Sequence, residues 1–351
     1  IHGTTHAINA IITGNTARTA FLTTSGHPDI LVLREGGRIE PFNFVAAYPE
    51  PYIPRALTFE VPERVNSAGA AHTPLEEAAT VEIIGKLKQN GVEAVAVCFL
   101  WSISNPAHEL RVGELLEEHL PGVPYTLSHQ INPALREYRR ASATAIDASL
   151  KPLMGEYLGG LTERLTAAGF AGRTLVLTSQ GGMLDATDLA QKPIHAINSG
   201  PSMAPIAGRN YADIDAASSN VIIADTGGTT YDVSLVRDGR IPLTKETWIG
   251  QPFRGHMTGF PSIDIKSVGA GGGSIAWVDA GGLLHVGPQS AGAVPGPVCY
   301  GAGGMEPTVT DACVTLGYLD PGYFLGGTMD LDAAGARKAV EDHVATPLGL
   351  S

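Results

Sequence analysis

The most informative segment of this sequence is Val221-Ile222-Ile223-Ala224-Asp225-Thr226-Gly227-Gly228-Thr229-Thr230-Tyr231-Asp232-Val233-Ser234-Leu235. It predicts a buried apolar strand, then a glycine turn, then a second strand in which apolar and polar residues alternate. Gly227 and Gly228 have no Cβ atom, so backbone amides at the turn can approach a phosphate group closely, and Thr229 and Thr230 add hydroxyl donors. The segment is therefore predicted to be a phosphate-binding β-hairpin.

Two aspartates flank the turn, Asp225 at the end of the first strand and Asp232 beyond the turn. Their carboxylates would repel phosphate directly, but either one can hold a hydrated magnesium ion that bridges to it. An ordinary hairpin would account for the glycine pair, but it does not require two aspartates around a threonine-rich turn. We assign both aspartates to catalysis, and Asp225 to Mg²⁺ or Mn²⁺ through water. The predicted phosphate-binding residues of the turn are Thr226, Gly227, Gly228, Thr229 and Thr230.

The composition argues against several classes of protein. With 351 residues, 44% of them hydrophobic and 17% charged, the chain is long enough for two soluble domains. A formal net charge of -12 opposes binding to nucleic acid and anionic membranes, because phosphate groups attract concentrated Lys and Arg. No apolar run has the length of a membrane helix, and the first residues do not resemble a signal peptide. We therefore expect a cytoplasmic protein that binds neither nucleic acid nor membrane.

The 3 cysteines and 11 histidines form no complete metal-binding motif. Cys98, Cys299 and Cys313 are too scattered for a disulfide framework or a Cys-x-x-Cys site, and the one His-x-x-x-His pair, His2 and His6, supplies only two of the ligands that a zinc site needs. Cys98 lies in the apolar run from Ala94 to Trp101, which is typical of a core thiol and not of a nucleophile.

Strands and helices alternate in the first half of the chain, which predicts a layered α/β domain. A long helical segment, from about residue 134 to 168, then leads to a second unit. We accordingly expect an N-terminal domain at residues 1–172 and an ATPase domain at residues 173–351. The predicted strands are 20–24, 57–61, 94–101 and 124–128, and the predicted helices between them are 74–87 and 109–120.

Two further glycine-containing segments are candidates for the same site. Ser199-Gly200-Pro201 enters a helix whose free N-terminal amides could bind an anion, although a simple helix cap explains it equally well. Gly269–Ser274 lies between two predicted strands, so it is not a dinucleotide fingerprint, which needs a following helix. We favour a turn that lets a nucleotide's sugar or phosphate approach, with a purely structural turn as the alternative. The candidate residues of this loop are Gly269, Gly271, Gly272, Gly273 and Ser274.

Two later segments have distinctive compositions. Gly281 to Gly304 is rich in glycine and proline and almost uncharged, and it is predicted to be a long ordered loop that is functional or covered by a partner. Asp311 opens a predicted helix, where it could serve only as a cap.

Several motifs together resemble the hydantoinase A/oxoprolinase family over nearly the whole chain. They are Gly3-Thr4-Thr5 with Asn9-Ala10, Gln180-Gly181-Gly182, Ser199-Gly200-Pro201, Asp225–Thr229, Gly269–Ser274, Gly287-Pro288 with Ser290-Ala291-Gly292 and Pro295-Gly296-Pro297, and Pro307–Ala312. The resemblance implies an α/β fold with the architecture of the actin-like ATPase superfamily, which includes sugar kinases, heat-shock chaperones and actin. The family's first phosphate hairpin would lie before Ile1 and its C-terminal part after Ser351, so we expect the architecture to be incomplete at both ends.

The resemblance also implies a reaction. Members of the family use ATP to phosphorylate the oxygen of a ketone enol or an amide. This chain has Lys266 at a position where the hydantoinase-like branch of the family tends to have a histidine. The resemblance therefore favours the acetophenone/acetone-type ketone carboxylases over hydantoinases and 5-oxoprolinases. Lys266 could neutralise phosphate charge during transfer, although a solvated lysine is an equally good explanation. The implied partners are a hydantoinase B-type subunit, further carboxylase subunits, and a small ketone or cyclic amide.

Two other functional classes stay open. A nucleotide-gated module without enzymatic activity would use the same phosphate hairpin to change shape. A serine amidohydrolase would need Ser179 or Ser199 as its nucleophile, but the sequence places no lysine or histidine to activate either hydroxyl. The leading hypothesis is thus an ATP-dependent ligase or cyclic amide hydrolase subunit.

Overall fold

The computed structural model describes residues 1–36, 40 and 42–350. It divides into two compact units. The first unit comprises Ile1–Met203 and Pro242–Asp264, and the second comprises Ala204–Ile241 and Ile265–Ser351. Helices and strands occur in both, so the predicted α/β class is confirmed. The domain boundary between residues 172 and 173 remains a prediction.

The helices, in chain order, are α1 His6–Ile12, α2 Ile30–Leu33, α3 Glu77–Gln89, α4 Ala107–His119, α5 Ser128–Ile131, α6 Glu137–Ala167, α7 Ala186–Gln191, α8 Met203–Ala216, α9 Val309–Thr315 and α10 Ala333–Val340. The strands are β1 Thr19–Thr24, β2 Thr58–Val61, β3 Arg64–Val65, β4 Ala71–Thr73, β5 Ala94–Cys98, β6 Tyr125–Leu127, β7 Leu175–Leu177, β8 Met183–Asp185, β9 Val221–Thr226, β10 Tyr231–Val236, β11 Leu243–Thr244, β12 Trp248–Ile249, β13 His256–Met257, β14 Ser262–Ile263, β15 Ile265–Val268, β16 Ser274–Val278 and β17 Leu284–Ser290. Among the described residues, no helix combines the length and the apolar composition needed to cross a bilayer.

A parallel sheet of four strands, in the order β2-β1-β5-β6, forms the centre of the first unit. In β5, Ala94, Ala96 and Cys98 pack with the alanines of α6, while Val95 and Val97 pack with α3 and α4. Because successive side chains of a strand point to opposite faces, the alternation of small and branched residues fixes which helices cover each face. Burial raises the pKa of the Cys98 thiol to about 11, in keeping with the predicted core thiol.

Helix α6 is tied to the ends of the sheet by a buried arginine. The guanidinium of Arg140 donates to the Phe99 carbonyl at 2.7 Å, to Ser128 Oγ at 3.0 Å and to the Ala134 carbonyl at 3.1 Å. A buried charge without such partners would cost several kcal/mol. These bonds therefore fix the long helix against the carboxyl ends of β5 and β6.

The second unit contains an antiparallel sheet in the order β15-β10-β9. The prediction that β9 is buried is wrong: none of its residues is buried, and Ile222 keeps 71% of its surface exposed. The physical reason is position, because among the described residues β9 pairs only with β10 and is an edge strand. An apolar run predicts a strand, but neighbouring elements decide whether it is covered.

The prediction of a long loop from Gly281 to Gly304 is also wrong in part. It contains β17, which pairs antiparallel with β16. Glycine and proline within the strand, at Gly287 and Pro288, hide its pattern in the sequence. Beyond β17, a small core of Cys299, Val314, Leu331 and Ala336 joins α9 to α10.

Candidate phosphate site

The predicted hairpin is present, with β9 and β10 paired along their whole length. The Gly227 amide donates to the Thr230 carbonyl at 2.9 Å and closes the turn. The amides of Gly228 and Thr229 donate to no described residue, and both residues are exposed. The turn thus has two consecutive backbone amides without a partner among the described residues, an arrangement suited to binding an anion, although the Thr229 nitrogen lies close to Gly271.

Asp225 and Asp232 lie directly opposite each other in this hairpin. Opposed residues of an antiparallel pair share a face, with Cβ atoms roughly 4.5–5.5 Å apart, and like charges there repel each other. Asp232 Oδ1 is also buried without a partner among the described residues. A hydrated divalent cation would relieve both costs, so the two carboxylates fit the magnesium site that the sequence predicts.

Lys266 lies on the other face of the same sheet. In the pairing of β10 with β15, Asp232 is opposite Ser267, and Val233 is opposite Lys266. Because side chains alternate along a strand, Lys266 shares its face with Val233 and not with the two aspartates. The described geometry does not bring Lys266 beside Asp225 or Asp232, and its part in phosphoryl transfer stays a prediction.

The predicted glycine loop lies against the hairpin turn. Its amides donate to carbonyls of the turn: Gly271 to Thr229 at 3.3 Å, Gly272 to Gly227 at 2.9 Å, and Gly273 to Gly228 at 2.7 Å. These three amides are occupied, so the loop holds the turn in place. A direct contact of Gly269, Gly271, Gly272, Gly273 or Ser274 with nucleotide remains a prediction.

Close packing explains why the loop needs glycine. A Cβ atom on Gly271 would lie 2.6 Å from the carbonyl carbon of Thr229 and from the nitrogen of Thr230. A Cβ atom on Gly228 would meet no atom within 4 Å. Glycine therefore allows close packing at Gly271, whereas at Gly228 it leaves open space beside the unpaired amides.

The first turn of α9 supports the glycine loop from behind. The backbone amide and the hydroxyl of Thr310 both donate to the Gly272 carbonyl at 2.8 Å. Thr308 caps the helix, and Asp311 completes a capping box in its first turn. The buried Asp311 carboxylate also accepts from the Cys299 amide at 2.7 Å. Thr308, and not Asp311, is thus the N-cap residue; Asp311 takes part in capping from the first turn, and it also anchors a neighbouring loop.

Sequence reasoning did not assign any role to Ser290, Ala291 or Thr310. The Ala291 amide donates to the Gly273 carbonyl at 2.8 Å, so a third segment reaches the same loop. The signal was present, because both segments belong to the motifs that carry the family resemblance. Spacing along the chain does not reveal that they meet at one turn.

Ser199 and Gly200 belong to the first unit, and their predicted contact with phosphate is untested. The Ser199 hydroxyl is buried and donates to the Thr4 carbonyl at 3.5 Å. Ser179 Oγ is buried without a partner among the described residues. Within the described part of the chain, neither hydroxyl bonds to a lysine or histidine nitrogen, so neither has the contact that activates a serine nucleophile.

Two protein-family models match the chain. Residues 140–351 match the hydantoinase/oxoprolinase model, and residues 1–120 match the model of the hydantoinase/oxoprolinase N-terminal region. The chain belongs to the hydantoinase/oxoprolinase family. The resemblance that the sequence motifs carry is therefore confirmed.

Two relatives and two solved structures are similar along the whole chain. The alpha subunit of caprolactamase from Pseudomonas jessenii is 40% identical over 100% of this chain and 50% of its own length. The gamma subunit of acetophenone carboxylase from Aromatoleum aromaticum is 36% identical over 99% of this chain and 49% of its own length. The crystal structure of the ATP-dependent caprolactamase of P. jessenii has a TM-score of 0.87 at 40% identity, covering 100% of this chain and 50% of that one.

A nucleotide-free structure of acetone carboxylase has a TM-score of 0.70 at 25% identity, covering 99% of this chain and 50% of that one. These similarities confirm the α/β architecture of the actin-like ATPase superfamily for this family member. The chain spans about half the length of the relatives that it matches.

Proposed function

We propose that this protein is the ATP-binding part of an enzyme that activates a carbonyl compound by phosphorylating its oxygen. The observation that supports this most directly is the hairpin turn, with its two unpaired amides beside the opposed Asp225 and Asp232. The amides would hold a phosphate of ATP. A hydrated Mg²⁺ ion on the aspartates would offset the charge of the triphosphate.

The chemistry follows from the low reactivity of such substrates. The oxygen of an enolate or an amide attacks the γ-phosphorus of ATP, and ADP leaves. An enol phosphate keeps a nucleophile available for carboxylation, whereas a phosphorylated amide has a good leaving group for hydrolysis. In this chain, the amides of Gly228 and Thr229 would position the phosphate, and Thr226 and Thr230 would add hydroxyl donors.

Ketone carboxylation and cyclic amide hydrolysis are candidates of equal standing. Only Lys266 favoured the ketone, and the strand register places this side chain on the face away from the aspartates. The 40% identity to a caprolactamase subunit supports cyclic amide hydrolysis. The 36% identity to an acetophenone carboxylase subunit supports ketone carboxylation.

A partner subunit would complete the reaction. The chain's relatives include proteins named as alpha, gamma and beta subunits, which supports a hetero-oligomer. As the partners we propose a hydantoinase B-type subunit and further carboxylase subunits. In this scheme the present chain makes the phosphorylated intermediate, and its partner hydrolyses or carboxylates it. The rival is a nucleotide-gated module whose ATP turnover depends on a protein partner alone.

The test is ADP formation by the full-length protein, purified from its source with any subunit that accompanies it. Caprolactam, a hydantoin, 5-oxoproline, acetophenone and acetone are each supplied with and without bicarbonate. We expect at least one carbonyl compound to stimulate ADP release. Stimulation by a protein partner alone would support the rival module.

Gly228→Val tests the turn itself. A branched side chain there would occupy the open space beside the unpaired amides and block nucleotide binding, and its Cβ atom would meet no atom within 4 Å. Gly85→Val is the matched control, because a Cβ atom at Gly85 also meets nothing within 4 Å and the residue lies in helix α3. If Gly228→Val left the nucleotide affinity unchanged, the segment would be an ordinary hairpin without a role in phosphate binding.

A further inference from the structure

We infer that a loop of the second unit is the docking surface for the partner subunit, which meets it with an apolar centre surrounded by lysine and arginine. The loop comprises residues 316–329, follows helix α9, and is called the tyrosine loop below. This inference rests on the proposed function and adds where the partner binds and with what chemistry. The side chains that carry it are Leu316, Tyr318, Tyr323 and Leu325, which are 65%, 77%, 69% and 67% exposed.

The tyrosine loop has apolar side chains of two kinds. Leu319, Phe324 and Met329 pack against the small core that joins α9 to α10, so the loop is anchored from within. The four exposed side chains take no part in that core. A single exposed apolar side chain is ordinary, but several in one short loop mark an interaction site. Tyrosine is also enriched among the residues that contribute most to binding at interfaces.

Local contacts fix the conformation of the tyrosine loop. The Gly322 amide donates to Asp320 Oδ1 at 2.9 Å. Leu325 has φ 49°, in the region that favours glycine, and the Thr328 hydroxyl donates to its carbonyl at 2.8 Å. A strained backbone of this kind persists only where neighbouring contacts enforce it. A surface that is ordered in advance loses little conformational entropy when a partner binds.

The charges of this region indicate the chemistry of the partner. From Ser267 to Ala336 the sequence has no lysine or arginine, and its six acidic residues supply half of the formal net charge of -12. They are Asp279, Glu306, Asp311, Asp320, Asp330 and Asp332. All of them except Asp279 and Asp311 are exposed, and these four form no ion pair with a described residue. An acidic surface of this kind attracts a partner that carries lysine and arginine.

The same charges argue against a second copy of this chain as the occupant. A two-fold symmetric contact joins the same patch of both copies, so it would bring acidic residues together. Like charges opposed across an interface cost several kcal/mol. The surface therefore fits a different protein better than it fits itself.

The position of the tyrosine loop suits a partner that completes the reaction. Helix α9 has seven residues, Val309–Thr315, and is thus about 10 Å long. Its first turn holds the glycine loop through Thr310, and the tyrosine loop begins directly after its last residue. A partner on the tyrosine loop would accordingly sit close to the phosphate site, where it could receive the phosphorylated intermediate.

The test measures assembly of the full-length protein with the subunit that accompanies it, by native mass measurement and by the dissociation constant of the complex. Tyr318→Ala and Tyr323→Ala should each raise that constant by at least about tenfold, because each removes an aromatic contact. Asp320→Asn removes a charge but keeps the Oδ1 acceptor for Gly322. It should slow association by about threefold at low salt, and not at about 1 M salt, where the Debye length is about 3 Å.

Tyr211→Ala is the matched control, because Tyr211 is a 63% exposed tyrosine of the same unit on helix α8. Nucleotide affinity of the full-length chain alone should be the same in all four variants. Wild-type assembly of both tyrosine-loop variants, or an equal loss with Tyr211→Ala, would overturn the inference. The absence of any accompanying subunit would also overturn it.

Iodination of tyrosine separates the partner from other occupants. Tyr318 and Tyr323 should react in the full-length chain alone and be protected in the complex. Protection in the chain alone would mean that another part of the same protein or a second copy covers the loop, which contradicts the inference. A failure of the proposed function looks different: no carbonyl compound would stimulate ADP release, whereas the mass and the dissociation constant would still report on the tyrosine loop.

Discussion

Strands β5 and β9 have similar apolar sequences but opposite surroundings. All five residues of β5, Ala94–Cys98, are buried. None of the six residues of β9, Val221–Thr226, is buried. β5 lies between β1 and β6 with helices on both faces, whereas β9 pairs only with β10 among the described residues. Apolar composition specified the strand in both cases, and the neighbouring elements specified the burial.

Because of this difference, we expect β5 to contribute mainly to stability and β9 mainly to function. The end of β5 is closed by the buried Glu109, which accepts from the Phe99 amide at 2.9 Å and from Ser128 Oγ at 2.6 Å. The end of β9 leaves Asp225 and the turn that follows it exposed. Changes near β9 should therefore affect ligand binding and turnover, and changes in β5 should affect stability.

The largest effect should follow Asp225→Asn in the full-length protein. Loss of this carboxylate should lower magnesium-dependent ATP turnover by at least about 100-fold, because charge on the transferred phosphate would no longer be offset. The fold should be unaffected, since Asp225 is exposed. Asp213→Asn, at an exposed position of α8, is the control. Turnover at the wild-type rate in Asp225→Asn would refute the assignment of the β9 end to catalysis.

The next effect concerns the support of the turn. Gly271→Ala should destabilise the second unit by about 3 kcal/mol, the upper end of the overpacking range, because its Cβ would press on backbone atoms. Gly228→Ala should cost almost nothing, since its Cβ meets no atom within 4 Å. Hydrogen exchange of the β10 amides would measure both. Equal protection in the two variants would mean that the loop does not hold the turn.

Val97→Ala tests the buried strand. We expect a loss of about 2 kcal/mol in the free energy of unfolding, because the substitution leaves a cavity between the sheet and helices α3 and α4. Denaturant unfolding followed by circular dichroism would measure it, and nucleotide affinity should be unchanged. A loss of nucleotide affinity without a loss of stability would contradict the separation of roles between β5 and β9.

The smallest effect should follow Ile222→Ala in β9. At an exposed position the change in the free energy of unfolding should stay within about 0.5 kcal/mol. The same denaturant experiment applies. A cost as large as that of Val97→Ala would show that residues outside this chain cover β9 in the full-length protein.

The sequence predicted those helices and strands whose ends are marked by turn or cap residues. The strand-turn-strand pattern around Gly227 and the helix beginning near Asp311 were both predicted from turn and cap residues. Family membership was also readable, because it rests on motifs. The strand β17 was missed, since Gly287 and Pro288 interrupt the alternation that marks a strand.

The sequence by itself thus determined which residues turn, cap and extend the chain, because those preferences depend on near neighbours along the backbone. Only the tertiary structure decided that β9 is an edge strand, that Asp225 faces Asp232, and that Lys266 lies on the other face of their sheet. Strand register and burial arise from contacts between residues far apart in the chain. A one-residue shift in register would exchange the two faces, and nothing within the segment Ile265–Val268 alone specifies that register.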